Sequence, residues 1–317
     1  MRDQTTPVGR LAPSPTGVLH LGNARSLLLA WLSIRSRGGV LSLRIEDIDG
    51  PRVRAGAIDQ TIEDLLWLGL DWDGEPLIQT QQLSRHQQSL DLLQQAGWVY
   101  PCTCTRKEVE EAASAPHESH GIVAETVYPG TCRDRWRDVE EARTVTGRDP
   151  ALRLRVTPSS VPFVDLFAGA QEGQLSGDFV IQKRDGTPSY QLAVVVDDAA
   201  QGVTEVLRAD DLLTSTPRQI LLYQHLNAAL PQFIHVPLVV GPDGRRLAKR
   251  HGDTSVARYR RDGVSPETLV GALAFASGLA TEGTRCRPED LLGEFQLDRI
   301  PAEPVVWDGQ RCFEGED

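Results

Sequence analysis

No apolar run in the sequence approaches the roughly 18 residues that a membrane-spanning helix needs. The first ten residues, "MRDQTTPVGR", lack the apolar core of a signal peptide. A cytoplasmic protein with no membrane partner is therefore expected. Positive charge is short as well: 33 Lys and Arg stand against 44 Asp and Glu, a net charge of −11. That argues against a protein that grips nucleic acid non-specifically over a wide surface, because neutralising phosphates requires a basic field. A local basic groove on an acidic body stays compatible. The five cysteines, Cys102, Cys104, Cys132, Cys286 and Cys312, are odd in number and follow no leader. They fit free thiols or metal ligands better than a disulfide framework. Internal repeats and low-complexity segments are absent.

What is present is an ordinary globular composition, 40% hydrophobic and 24% charged over 317 residues, enough for two or three packed units. Val8–Ala12 reads as a short strand ahead of Pro13. From Ala24 onward Leu27, Leu28, Trp31, Leu32 and Ile34 recur at helical spacing until Gly38 and Gly39 stop the pattern. "VLSLRIED" alternates, with Leu41, Leu43 and Ile45 on one face, a strand running out at Glu46 and Asp47. A second helix carries Ile58, Ile62, Leu65 and Leu66 before Gly69. This order of strand, helix, strand, helix predicts an α/β protein with a parallel sheet. From Pro101 the chain is richer in turn residues and holds three cysteines, which reads as an inserted module. In "SYQLAVVVDD", Ala193–Val196 has the character of a buried strand. "STPRQILLYQHL" reads as a helix with Pro217 in its first turn. "FIHVPLVVGPDGRRLAKRHGD" is strand-like at its start, and helical stretches follow from residue 264. From Glu282 to Asp317 the chain carries ten Asp or Glu against four Arg.

Two loops carry the chemistry. "GVLHLGN" lies between the first strand and the first helix, where a helix brings its unpaired N–H groups to the carboxyl edge of a parallel sheet and binds phosphate. Gly17 and Gly22 let a ligand approach the backbone, and His20 offers a donor. Far along the chain, "GRRLAKRHGD" gathers Arg245, Arg246, Lys249 and Arg250 into a compact cationic loop. Each alone is also explained by a plain turn, stiffened by proline in the first case and solvated in the second. Together they point to one nucleotide held between them.

The residues of these loops carry a resemblance. "HLGN" at 20–23 resembles the HIGH signature of class I aminoacyl-tRNA synthetases, and "RLAKR" at 246–250 resembles their KMSKS signature. "RLAPSPTGVLHLGNAR", "LRIEDIDGPR" and "HVPLVVGPDGRRLAKRHGD" resemble, in the same order, the glutamyl-tRNA synthetase group. The resemblance implies a class I synthetase Rossmann-type parallel sheet with an inserted zinc-binding module and a short helical C-terminal region. The implied division is 1–100 and 190–245 for the two halves of the catalytic domain, 101–189 for the module and 246–317 for the second signature and C-terminal region. Only 67 residues follow Arg250, too few for an anticodon-binding domain, and their tail is acidic. A synthetase so shortened resembles the glutamyl-queuosine tRNA(Asp) synthetase family. That likeness implies tRNA-independent activation of L-glutamate with ATP, then transfer of glutamate to the queuosine base in the anticodon of tRNA(Asp). Two rivals stand beside it: a shortened glutamyl-tRNA synthetase charging tRNA(Glu), and a non-catalytic paralogue with a binding role.

By position in the family motifs, His20 and Lys249 are the catalytic candidates. Pro13, Thr16, Gly17, His20, Gly22, Asn23, Arg246 and Lys249 are the ATP-binding candidates, and Arg10, Ser14, Glu46, Tyr190 and Arg208 those for glutamate. The chain departs from the signatures at Asn23, Arg246 and Ala248, which leads to an expectation of altered ATP affinity. Mg²⁺ is expected with ATP. Cys102, Cys104 and Cys132 are three thiols suited to Zn²⁺, which wants a fourth ligand in a structural site. Chemistry alone nominates His117 or His120; the family pattern of Cys-x-Cys followed by Tyr-x₃-Cys implies Tyr128. Cys286 and Cys312 read as plain structural cysteines, and a monomer is expected.

Overall fold

The computed structural model describes residues 6–15, 17–48, 53, 55–113, 127–245, 247 and 254–307. The chain starts with β1 (Val8–Leu11), α1 (Leu21–Arg35), β2 (Val40–Ile45), α2 (Ala57–Trp67), β3 (Leu77–Ile78) and α3 (Leu83–Gln95). β1 pairs in parallel with β2, with Leu11 opposite Leu43, and β2 pairs in parallel with β3. Leu11, Leu41, Leu43 and Ile45 are wholly buried. Helices cover both faces of such a sheet, so its strands are buried on both sides. β1 and α1 pack so closely that a Cβ added at Gly9 would collide with Ile34. Arg25, on the same helix, is buried and ties it to the Pro237 carbonyl at 2.7 Å and the Ser277 hydroxyl at 3.0 Å. Burial lowers its guanidinium to a pKa of about 10, against the pull of Asp210.

Next come β4 (Val99–Cys102), α4 (Arg106–Ala113), α5 (Val139–Thr146), β5 (Ala151–Leu154), β6 (Phe163–Asp165), β7 (Gly169–Gln171) and β8 (Phe179–Gln182). β4, β5 and β8 form a separate antiparallel sheet. The remainder is α6 (Tyr190–Ala200), β9 (Glu205–Ala209), α7 (Thr216–His225), β10 (Gln232–Val236), β11 (Val239–Val240), α8 (Val256–Arg261), α9 (Pro266–Phe275) and β12 (Val305–Val306).

β6 does not stay with the antiparallel sheet. It pairs in parallel with β10, which pairs in parallel with β9. β9 in turn lies against β1, where the Thr204 N–H donates to the Val8 carbonyl at 2.9 Å. The layer therefore reads β3-β2-β1-β9-β10-β6-β7, with β7 antiparallel at its edge, a doubly wound order whose direction of winding reverses between β1 and β9. In such sheets ligands bind beyond the carboxyl ends of the strands at that reversal.

One sequence expectation is corrected. Ala193–Val196 lies inside helix α6 rather than in a strand, and Leu192 to Asp198 are all buried there. Ser189 caps the helix by accepting from the Leu192 N–H. Burial all round the helix erases the 3.6-residue period, and packing overrides the strand preference of three consecutive valines.

Candidate active site

β1, β2, α6 and β9 deliver their charged side chains to one place at the sheet's reversal. Arg10 leaves β1 buried; its guanidinium donates to the Leu207 carbonyl at 3.2 Å and lies 3.4 Å from Asp198. Arg44, fully buried on β2, bonds Asp198 at 2.5 Å and Glu46 at 3.0 Å. The Glu46 N–H donates to the Pro13 carbonyl at 3.0 Å, clipping the end of β2 to the loop that follows β1. Burial raises the Glu46 carboxyl above its ordinary range, opposed by Arg44 and then Arg10. Tyr190 opens α6. Burial raises its phenol too, and the charges that act on it are those of Arg208, Glu46, Arg10 and Asp198.

Arg208 is the unusual member. It is 6% exposed, yet its guanidinium meets only neutral groups: His235 Nε2 at 2.9 Å, Thr216 Oγ1 at 2.9 Å and Tyr190 Oη at 3.4 Å. Among the described residues no carboxylate lies within ion-pair distance of it. Burial lowers its pKa accordingly. A buried cation without a counterion is costly, and an anionic ligand relieves that cost.

The loop from β1 to α1 has a different character. His20 caps α1 in an extended conformation, half-buried, and its side chain does not bond the helix end. Ser14, Gly17 and Asn23 are exposed, Gly22 is half-buried and Pro13 is buried. Neither Gly17 nor Gly22 is required by the fold. Both have φ outside the left-handed region; a Cβ on Gly17 would meet nothing within 4 Å, and one on Gly22 only Val239 at 3.7 Å. These glycines leave room at a helix N-terminus, the arrangement that receives phosphate. Ser14 makes no hydrogen bond to the Arg10–Glu46 cluster among the described residues. The loop is stapled to a distant segment: Leu21 N–H donates to the Thr254 carbonyl at 3.0 Å and Val256 N–H to the Leu19 carbonyl at 2.9 Å, which together pair His20 with Ser255 in an antiparallel bridge. Thr16, Arg246, Ala248, Lys249 and Arg250 lie outside the described residues.

A second centre sits in the antiparallel module, where β4 carries Cys102. The sulfurs of Cys102, Cys104 and Cys132 lie within 4.8 Å of one another, with Cys104 and Cys132 at 3.4 Å. The Tyr128 hydroxyl accepts from the Cys132 N–H at 2.8 Å and from the Cys102 thiol at 3.3 Å, and is 3.8 Å from Cys104. Burial raises the Cys132 thiol, but donors from Thr103, Cys104 and Tyr128 outweigh it and bring the thiol down to about 7. Burial and neighbouring thiols push Cys104 up to about 12. Three thiols and a phenol oxygen converging on one point form a possible metal site. His117 and His120 lie outside the described residues, as does Cys312; Cys286 is a free, buried cysteine.

The family described as "tRNA synthetases class I (E and Q), catalytic domain" matches residues 8–299. A protein of Symbiobacterium thermophilum named glutamyl-Q tRNA(Asp) synthetase is 50% identical over 308 residues, covering 94% of each chain. The chain belongs to the glutamyl-Q tRNA(Asp) synthetase family. By contrast, glutamate–tRNA ligase 1 of Caldanaerobacter subterraneus subsp. tengcongensis is 38% identical, and this chain spans 63% of it. A solved glutamate tRNA ligase from Elizabethkingia meningosepticum, in complex with its amino acid, superposes with a TM-score of 0.80 at 24% identity. That superposition covers 97% of this chain and 68% of the other, and speaks for the fold.

For this glutamyl-Q tRNA(Asp) synthetase family member, sequence reasoning passed over Arg44, Asp198, Thr216 and the Asp165–His235 pair. A usable signal was present for two of them: Asp198 follows the apolar run of α6, and His235 stands inside "FIHV", whereas Arg44 shares the face of "VLSLRI" that carries Ser42 and reads there as solvent-facing. A charged or polar side chain in an otherwise buried run needs a partner, and that partner is often functional.

Proposed function

We propose that the protein uses ATP to activate L-glutamate as glutamyl-adenylate, without tRNA, and then transfers glutamate to the queuosine base in the anticodon of tRNA(Asp). The observation that carries this reading is the buried Arg208 guanidinium, whose partners among the described residues are all neutral, facing Tyr190 across 3.4 Å beside Arg10 and Glu46. Arg10 and Arg208 supply fork-shaped donors for carboxylate, which separate glutamate from glutamine by charge and donor pattern. Glu46 is the counterion for the α-ammonium, and Tyr190 and Ser14 complete the pocket. The name of the Symbiobacterium relative supports the acceptor.

Glutamate's carboxylate is already a nucleophile, so adenylation needs no general base. The barrier comes from charge gathering on the α-phosphorus and on the leaving pyrophosphate, and it is met by positioning and electrostatics. The α1 N-terminus with Gly17, Gly22, Asn23 and His20 receives the phosphates, and Pro13 and Thr16 complete the ATP-binding set. Lys249 and Arg246 neutralise the leaving pyrophosphate, and Mg²⁺ would accompany the ATP. In the module, Cys102, Cys104, Cys132 and Tyr128 would hold one structural Zn²⁺, a donor set of thiolates and one oxygen that suits this ion. Its contribution is to fold stability.

The test is glutamylation by purified protein with ATP and labelled glutamate. The acceptors are tRNA(Asp) with queuosine, tRNA(Asp) without it, and tRNA(Glu), each checked for periodate sensitivity. Label on queuosine-containing tRNA(Asp) alone is expected. Label on the 3′ end of tRNA(Glu) replaces the proposal with a shortened charging enzyme. Label on no tRNA, without glutamate-dependent pyrophosphate exchange, replaces it with a non-catalytic role.

A further inference from the structure

We infer that Asp165 and His235 are a positioning pair that sets the Arg208 guanidinium by fixing which imidazole nitrogen carries the proton. The inference rests on the reading of Arg208 as a glutamate-binding residue, and adds two residues to that reaction's machinery.

The geometry runs across three neighbouring strands. Asp165 ends β6 and His235 lies in β10, two residues beyond Phe233, which pairs with Asp165. Arg208 is the direct register partner of His235 on β9. All three side chains are nearly or wholly buried. Asp165 Oδ1 accepts three backbone N–H groups, from Ala168 at 2.8 Å, Phe167 at 3.0 Å and His235 at 3.1 Å. Its other oxygen, Oδ2, lies 2.6 Å from His235 Nδ1. His235 Nε2 faces the Arg208 Nε–H at 2.9 Å and the Thr216 hydroxyl at 3.2 Å.

Only one proton arrangement satisfies this row. Arginine is donor-only, so Nε2 must be an acceptor. Nδ1 then carries the hydrogen, and Oδ2 of an ionised Asp165 accepts it. The charged groups acting on the imidazole agree. Burial lowers its pKa below 6.5, Asp165 opposes this, and Arg208 and Arg10 reinforce it, so the ring is held neutral. Burial raises the Asp165 carboxyl, but His235 and the backbone donors bring it below its ordinary value. A neutral imidazole with Nε2 bare is thus a built-in acceptor for a guanidinium that has no carboxylate partner among the described residues. It orients Arg208 while leaving the guanidinium's charge for a ligand.

The row dictates its own test. At position 165 an asparagine cannot flip, because three N–H groups require an oxygen at Oδ1. In Asp165→Asn the amide N–H₂ must therefore face Nδ1, which drives the hydrogen to Nε2 and sets donor against donor at Arg208. Gln placed at 235 can put its carbonyl where Nε2 stood, keeping the acceptor for Arg208. Asn at 235 can keep only the donor to Asp165.

The measurements are glutamate and ATP KM from glutamate-dependent pyrophosphate exchange, glutamate Kd by calorimetry, and Tm. The histidine tautomer is read from ¹⁵N shifts in the unaltered protein, assigned by the resonance that His235→Gln removes. The expected results are an Nδ1–H tautomer at His235, and glutamate KM and Kd raised about tenfold or more in D165N and H235N. That is the penalty of an unmatched buried donor. H235Q is expected to stay within about threefold of the unaltered protein, with ATP KM steady throughout. An Nε2–H tautomer in the unaltered protein overturns the inference. So do equal losses in H235N and H235Q, or losses that follow Tm and strike ATP KM equally. Arg208→Gln separates the two claims: if it leaves glutamate Kd unchanged, the reading of Arg208 itself fails. If it raises Kd while H235N and D165N do not, only the positioning pair fails.

Discussion

The proposed glutamate pocket and the loop between β1 and α1 lie side by side but are built on opposite plans. In the pocket the side chains are buried and cross-linked: Arg44 to Asp198 and Glu46, Arg10 to Asp198, Arg208 to His235. In the loop the recognising groups are backbone N–H groups and open space, with Ser14, Gly17 and Asn23 exposed. The difference matches the ligands proposed for them. Choosing one amino acid among several needs donors and charges fixed before the ligand arrives, since rearrangement would be paid from binding energy. A triphosphate is distinguished by charge and bulk, and a helix N-terminus with room around it suffices.

The comparison breaks most sharply at Arg208. Replacing it with Gln removes the pocket's uncompensated cation, an effect of about 2–5 kcal/mol for a buried charged pair. Glutamate-dependent exchange should fall in kcat/KM by about two to three orders of magnitude, with ATP KM unchanged. An equal rise in ATP KM would mean that pocket and loop are one energetic unit. The module gives the next effect. Metal analysis should find one Zn²⁺ per chain, and its removal by a strong chelator should lower Tm by several degrees, since metal-binding energy is folding energy. A chelated protein with unchanged Tm would leave the cysteines as mere neighbours. The smallest effect sharpens the contrast from the other side. Gly17→Ala should leave Tm within about 1 °C, because its Cβ meets nothing. It should raise ATP KM about tenfold and leave glutamate Kd alone. An unchanged ATP KM would mean that the space at Gly17 serves no nucleotide.

Alternation in "VLSLRIED" and the helical spacing up to Gly38 were enough to read β2 and α1 from the sequence, because each has partners within its own period. α6 was not readable in this way. Its valines are buried on every side, so nothing in the local pattern distinguishes a sunken helix from a sunken strand. The pocket divides along the same line. Arg10, Glu46, Tyr190 and Arg208 were singled out through motifs and resemblance, and the structure brings these four together. Asp198, Asp165 and His235 lie outside those motifs' named roles. Their meaning depends on partners 154 residues away for Arg44 with Asp198, and 70 for Asp165 with His235. Only the winding of the sheet joins them.

The two backbone hydrogen bonds that staple residues 19–21 to residues 254–256 have a thermodynamic consequence. They fasten one end of the segment carrying the second signature directly onto the first, while Leu247 N–H holds the other end to the Val239 carbonyl at 3.4 Å. Lys249 stands two residues from one fastening and five from the other. If the nucleotide is held by both signatures, as proposed, its binding and the backbone joint between them strengthen each other by the same factor. That coupling factor is one quantity, measurable from ATP affinity or from the resistance of the joint to opening.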